Sequence, residues 1–332
     1  MIFFVLSVLF LSMFLYIVLA GADFGAGILE IFKGKELREI QEKMITKAMG
    51  PVWEANHIWL ILVLVIMFVG FPGPYRLLTI SLHIPITMIL IGIIGRGTAF
   101  TFRHYDAVKG KSQAIYSIVF SFSSLWTSMW IGITVGAMTL GRITEDGSFY
   151  NVYIENWLNP FSFLMGMFIS SLFAYVASTF LVSESHTYQT RELFKKRVTY
   201  SCIVSVMIGT LLFIDSFFNP NIINEFLNDK VTMIFLFISS SILLFQWIAI
   251  RNRSDSYLKF LGVIQLFLIF SGWVVFLYPN FYFRDGSIGV NIFQGAAPDA
   301  TIKQLGIALA IGVVVIFPPY LYLMNIFKRN LR

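Results

Sequence analysis

The chain has 332 residues, of which 57% are hydrophobic and only 13% charged, with a formal net charge of +6. That balance excludes a soluble globular domain and leaves no room for a separate soluble catalytic domain between the apolar runs. It is an all-α integral membrane protein in expectation, and its positive charge reads as a topology signal rather than as a nucleic-acid footprint.

In chain order, runs poor in charge fall at about 2–22, 52–71, 77–102, 112–140, 158–183, 198–218, 231–250, 257–279 and 304–327. Most reach the roughly 20 residues that a helix needs to cross a ~30 Å hydrocarbon core, so nine transmembrane helices are expected within one polytopic domain, 1–332. Eighteen of the 24 Lys and Arg residues lie in alternate gaps: 33–47, 103–111, 191–197, 251–259 and 328–332. By the positive-inside rule these gaps are cytoplasmic, with the N-terminus outside and the C-terminus inside. The first run ends Val18-Leu19-Ala20, which resembles a cleavage site. It lacks a basic segment in front, and cleavage would place the basic 33–47 gap outside, so it is read as a retained first helix.

Tyr75, Tyr150, Trp157, Tyr278 and Tyr282 fall near the outer ends, where amphipathic rings are expected to form an interfacial belt. Cys202 is the single cysteine, so no internal disulfide can form, and it is expected to be a packing residue. The four histidines, His57, His83, His104 and His186, show no paired ligand spacing. No phosphate loop, dinucleotide fingerprint or nucleophile elbow is present, and no catalytic or metal-ligating set is expected from this chain alone.

Ionisable residues inside a span are costly and are functional candidates by default. Asp23 lies in Gly21-Ala22-Asp23-Phe24-Gly25-Ala26-Gly27, where the glycines permit either close helix approach or a broken helix. Glu54 and His57 open the second span in Gly50-Pro51-Val52-Trp53-Glu54-Ala55-Asn56-His57-Ile58-Trp59. Pro51 suits a first helical turn, and a carboxylate near a helix N-terminus is favoured by the dipole, so Glu54 reads equally as a cap. Arg96 sits in the cytoplasmic third of the third span, shortly before Arg103. Asp23, Glu54, His57 and Arg96 therefore reach similar depth, as a structural ion-pair cluster or as an uptake route for protons or ions.

The first-span motif, the second motif with Trp59, and Arg96-Gly97-Thr98-Ala99-Phe100-Thr101-Phe102-Arg103 closely resemble subunit II of cytochrome bd quinol oxidases. The resemblance implies two four-helix bundles plus one helix, and a haem-bearing partner, subunit I, that carries the b- and d-type haems and oxidises quinol while dioxygen is reduced to water. It implies no haem ligated by this chain, and it leaves room for a structural quinone or lipid and a small accessory subunit. It also implies a bacterial or archaeal cell membrane. It makes Glu54 and Asp23, with His57, proton-route candidates, and Trp59 an oxygen-access or gate candidate. Trp53, Asn56, Arg96 and Arg103 become structural or charge partners. The alternative is a secondary transporter using Asp23, Glu54 and Arg96, built around a helix broken at 21–27.

Overall fold

The computed structural model of the protein describes residues 1–32, 44–45, 53–105, 111–144, 147–185, 187–251, 255–282 and 291–330. Every element named among them is helical: α1 (Ile2–Ile31), α2 (Trp53–Gly70), α3 (Pro72–Ser81), α4 (His83–Tyr105), α5 (Lys111–Leu140), α6 (Phe149–Tyr153), α7 (Pro160–Ser183), α8 (Tyr188–Ser216), α9 (Pro220–Asn228), α10 (Lys230–Arg251), α11 (Asp255–Leu277) and α12 (Asp299–Asn330). Among the described residues seven of these are long and apolar enough to cross a membrane, or eight if the bent pair α2/α3 is counted as one span. The last apolar run lies within α12, a 32-residue helix that carries Pro318 and Pro319.

α7 occupies the centre, packed against α1, α5, α8 and α11, and most of its length is buried. α4 packs on α5, α2 on α1, and α10 on α11. In lipid there is little hydrophobic drive between helices, so contact depends on backbones coming close. Small residues provide that here. A Cβ on Gly25 would stand 1.9 Å from the carbonyl oxygen of Phe173, and one on Gly27 would stand 2.1 Å from Ser124 Oγ. Across α5 and α7, Gly132 and Gly166 meet in the same manner, 2.6 Å from an added Cβ to the facing Cα.

α1 thus runs unbroken through the glycine motif to Ile31, well beyond the expected boundary at 22. The glycines serve close approach, and the broken helix that supported a transporter reading is not there. Asp23 lies two turns inside α1 rather than at its end. The third span also differs from expectation: the expected 77–102 segment is split, with 77–81 in α3 and the long helix beginning at His83. Pro72 explains the break. It has no N–H to continue α2, and it forces Phe71 out of helical geometry (φ −135°, ψ 60°), turning α3 through 117° from α2. The Gly70 carbonyl freed by the break accepts from Ala297 N–H at 2.8 Å. Other starts follow ordinary capping: Asn159 accepts from Ser162 N–H ahead of Pro160, and Thr187 accepts from Thr190 N–H.

Of the aromatic residues expected in an interfacial belt, Tyr150 and Tyr278 are exposed, but Trp157 and Tyr282 belong to the core. Trp157 packs against Trp130 with ring centroids 5.4 Å apart and planes tilted by 59°, and donates to the Tyr153 carbonyl at 2.7 Å. The short segments after α5 fold back over the bundle and bury it, with Asn156 tying them to α3 through the Ser81 carbonyl.

Gly25→Val is expected to force α1 off α7, a strain of about 1–3 kcal/mol or more. Thermal unfolding in mild detergent should show a large loss against the Gly312→Ala protein, whose added Cβ meets nothing within 4 Å. Equal stability of the two would contradict the packing described.

Candidate functional site: two stacked ion pairs

The site is built by α1, α2, α4 and α5. Asp23 from α1 and Arg96 from α4 form an ion pair with Nη2 to Oδ1 at 2.5 Å, and both residues are almost fully buried. Arg96 Nη2 also donates to the Asp23 carbonyl at 3.4 Å, and its Nε donates to Ser124 Oγ on α5 at 3.1 Å. Ser124 in turn donates to the Phe120 carbonyl, one turn earlier. The guanidinium is therefore fixed from three sides. Ser124 reaches it only because Gly27 leaves α1 and α5 in contact.

Seven residues further along each helix the arrangement repeats. Glu30 from α1 accepts from Arg103 Nη1 with both carboxylate oxygens, at 3.0 and 2.9 Å. Both pairs join residues 73 apart in the chain. A constant offset means that α1 and α4 run in the same direction in fixed register, with the two pairs two turns or ~10 Å apart along the helices. Phe120 of α5 fills the space between them. Arg96 Cζ lies 4.7 Å and Arg103 Cζ 4.4 Å from its ring centroid, and the ring is fully buried. Phe24 and Phe100 add a further ring contact to Arg96 and Arg103 respectively. A guanidinium is weakly hydrated and planar, which suits it to such a place better than an ammonium. Five groups form one column: Asp23, Arg96, Phe120, Arg103 and Glu30.

The sequence-derived candidates separate around this column. Asp23 and Arg96 meet as expected. Asn56 of α2 is buried and lies within hydrogen-bonding influence of the Asp23 carboxylate, and half-buried His57 is within electrostatic reach of Asp23 and Arg96. Trp59 follows on α2 with its indole N–H buried. Trp53 and Glu54 lie in the first turn of α2, but their side chains fall outside the described residues. Arg103 pairs with Glu30, a residue that the sequence reading passed over. The signal was available: the spacing of Asp23 and Glu30 equals that of Arg96 and Arg103. A first span ending at 22 leaves Glu30 outside it, which hides that match.

No group of three or more His, Cys, Asp or Glu able to hold a metal ion occurs among the described residues. His83 directs Nδ1 at the Ile80 carbonyl and sets its ring against Tyr153; His186 and the side chain of His104 lie outside the described residues. A second feature lies on the far side of α7. A cavity of about 490 Å³ opens between α7, α8, α10 and α11, walled by Phe161, Phe213, Phe226, Phe235 and Phe276 and containing Cys202 in its lining. Tyr175 and Gln265 are the larger polar groups on its wall, and Gln246 Nε2 donates to Gln265 Oε1 at 2.6 Å.

Comparison with known proteins gives a consistent picture. The family described as Cytochrome bd terminal oxidase subunit II matches residues 1–327. The chain is 28% identical to the cytochrome bd ubiquinol oxidase subunit 2 of Bacillus subtilis over 174 residues, 51% of this chain and 48% of that one, so the match spans about half the length of that relative. It is 23% identical to a second B. subtilis protein, named as a cytochrome bd menaquinol oxidase subunit II, over 98% of this chain and 95% of the relative. The fold is similar to that in the structure of bd oxidase from Geobacillus thermodenitrificans, with a TM-score of 0.77 and 19% identity over 98% of each chain.

Phe120→Leu should remove two desolvated cation–π contacts, each worth about 2 kcal/mol. Thermal unfolding in mild detergent should show a clearly larger loss than Phe161→Leu, which truncates a buried phenylalanine packed among apolar side chains. Equal losses would mean that the guanidinium contacts add nothing to packing.

Proposed function

Because the chain belongs to the cytochrome bd terminal oxidase subunit II family, we propose that it is the subunit that holds a haem-bearing subunit I and serves its chemistry from the side. The complex oxidises quinol and reduces dioxygen to water, and this chain is inactive alone. The Lys/Arg-rich ends of α1, α4, α8 and α11 face the cytoplasm in this reading, with the N-terminus outside. α1, α2, α4 and α5 form one bundle and α7, α8, α10 and α11 the other, with α12 as the additional helix. The contacts of α4 with α5, α2 with α1, and α7 with α8 and α11 support that grouping.

Reduction of one dioxygen to two waters consumes four protons, and the reading assigns the inner leaflet end of this chain to supplying some of them. The observation that carries it is the placement of Asn56 and His57 on Asp23. The Asp23–Arg96 pair is enclosed by Ser124 and Phe120 on the α5 side, and its neighbours on the α2 side are polar. Glu54 precedes His57 by three residues on α2, so the two share a broad face of that helix. Protons are taken up by Glu54, pass the His57 and Asn56 face, and meet Asp23. Arg96 holds Asp23 in place; Arg103 and Trp53 are structural. Trp59, three residues from Asn56, is the residue assigned to oxygen access or gating. The b- and d-type haems are held by the partner, and no step of this reading runs through a ligand from this chain. The apolar cavity beside Tyr175 and Gln265 is the place for a structural quinone or lipid, and a small accessory subunit is compatible with the exposed apolar faces of α8 and α10.

Glu54→Gln in the assembled complex is the test. Turnover per haem should fall several-fold while partner association and the haem spectrum stay normal. Full turnover with normal assembly would remove the proton-route assignment.

A further inference from the structure

In the reading above the second ion pair enters only through Arg103 as a structural residue, yet its carboxylate is the more buried of the two: Glu30 has no solvent exposure at all. We propose that Glu30 is a positioning residue for proton uptake: through Arg103 and the Phe120 ring it sets the charge around the Asp23–Arg96 pair. This rests on the proton-route reading and extends it to a residue, Glu30, that would otherwise be a mere anchor.

The argument begins with charge. Two guanidinium groups approach one phenyl ring, at 4.7 and 4.4 Å from its centroid. Two cations at that separation in a low-dielectric interior repel strongly unless each is balanced. Asp23 balances Arg96 and Glu30 balances Arg103, so the column is neutral only when both carboxylates are ionised. Removing the charge of Glu30 leaves Arg103 as an extra positive charge on the far side of a single ring from Arg96. That charge favours the ionised form of any nearby proton-carrying carboxylate, and so moves its titration to lower pH. Removing Arg103 instead leaves an extra negative charge and moves it to higher pH.

The facing groups bound the effect. α4 presents Arg96 and Arg103, and α2 presents His57, with Glu54 in its first turn. α1 itself contributes Tyr16, seven residues before Asp23, with its hydroxyl buried. Arg197 of α8 donates to the Phe32 carbonyl, two residues past Glu30. α5 and α7 bring Phe120, Ser124, Phe173 and Ala177 against this stretch of α1, and none of these titrates near neutrality. Arg103 and Glu30 are thus the charges placed to tune Asp23 from the basic end of the helices, while His57 acts from α2.

The experiment uses the assembled two-subunit complex and follows quinol oxidase turnover per haem against pH. Glu30→Gln should shift the profile to lower pH by about half a unit or more, Arg103→Gln should shift it to higher pH, and the double variant should return it near the parent position. If the Glu30→Gln complex does not assemble, the opposed shift of Arg103→Gln and its reversal in the double variant carry the test. An unshifted profile in the single variants, or a shift that the double variant does not reverse, would overturn the proposal, since a purely structural pair would lower yield and stability without moving the profile. Glu54→Gln in parallel separates the two claims: normal turnover there with shifted Glu30 profiles would retire Glu54 and keep Glu30.

Discussion

The ion pair between Asp23 and Arg96 is the constraint around which the first half of the molecule is arranged. A charge in a lipid-embedded interior is tolerated only when it is balanced and hydrogen-bonded. Here the requirement propagates outward. Arg96 needs Ser124, Ser124 needs the backbone of α1 at Gly27, and α1 can approach α5 and α7 only because Gly25 and Gly27 lack side chains. One electrostatic requirement fixes the approach of three helices. The second pair, two turns away, fixes their register as well, since a slip of either helix would separate both carboxylates from their guanidinium partners.

The column is aromatic on one side and polar on the other. Phe120, Phe24 and Phe100 lie against the two guanidinium groups. Asn56 and His57 approach from α2, whose first turn carries Glu54. Asp23 is thus enclosed on the α5 side and met by polar groups on the α2 side. The apolar cavity lies on the opposite side of α7, away from this column.

Much of the helical layout was legible in the sequence because hydrocarbon thickness and loop charge act on long runs rather than on single residues. Asp23 and Arg96 were legible for the same reason: charge in an apolar run stands out. What escaped depended on packing. α1 continues to Ile31 because its glycines are held between α5 and α7, a context that a linear reading replaces with flexibility. Ending the span early hid Glu30, and with it the equal spacing of the two pairs. Phe120 could not be told from thirty-four other phenylalanines, since its role lies in what lies above and below its ring. The helical form of 72–81 was not legible, because that segment is held by contacts with α6 and the Ser81–Asn156 link.

A double-mutant cycle on Asp23→Asn and Arg96→Gln, read by thermal unfolding in mild detergent, tests the central claim most directly. Each single change leaves a buried group without its partner and should cost about 3–5 kcal/mol, whereas the double variant should recover a large part of that loss. Strictly additive losses would contradict an organising role for the pair.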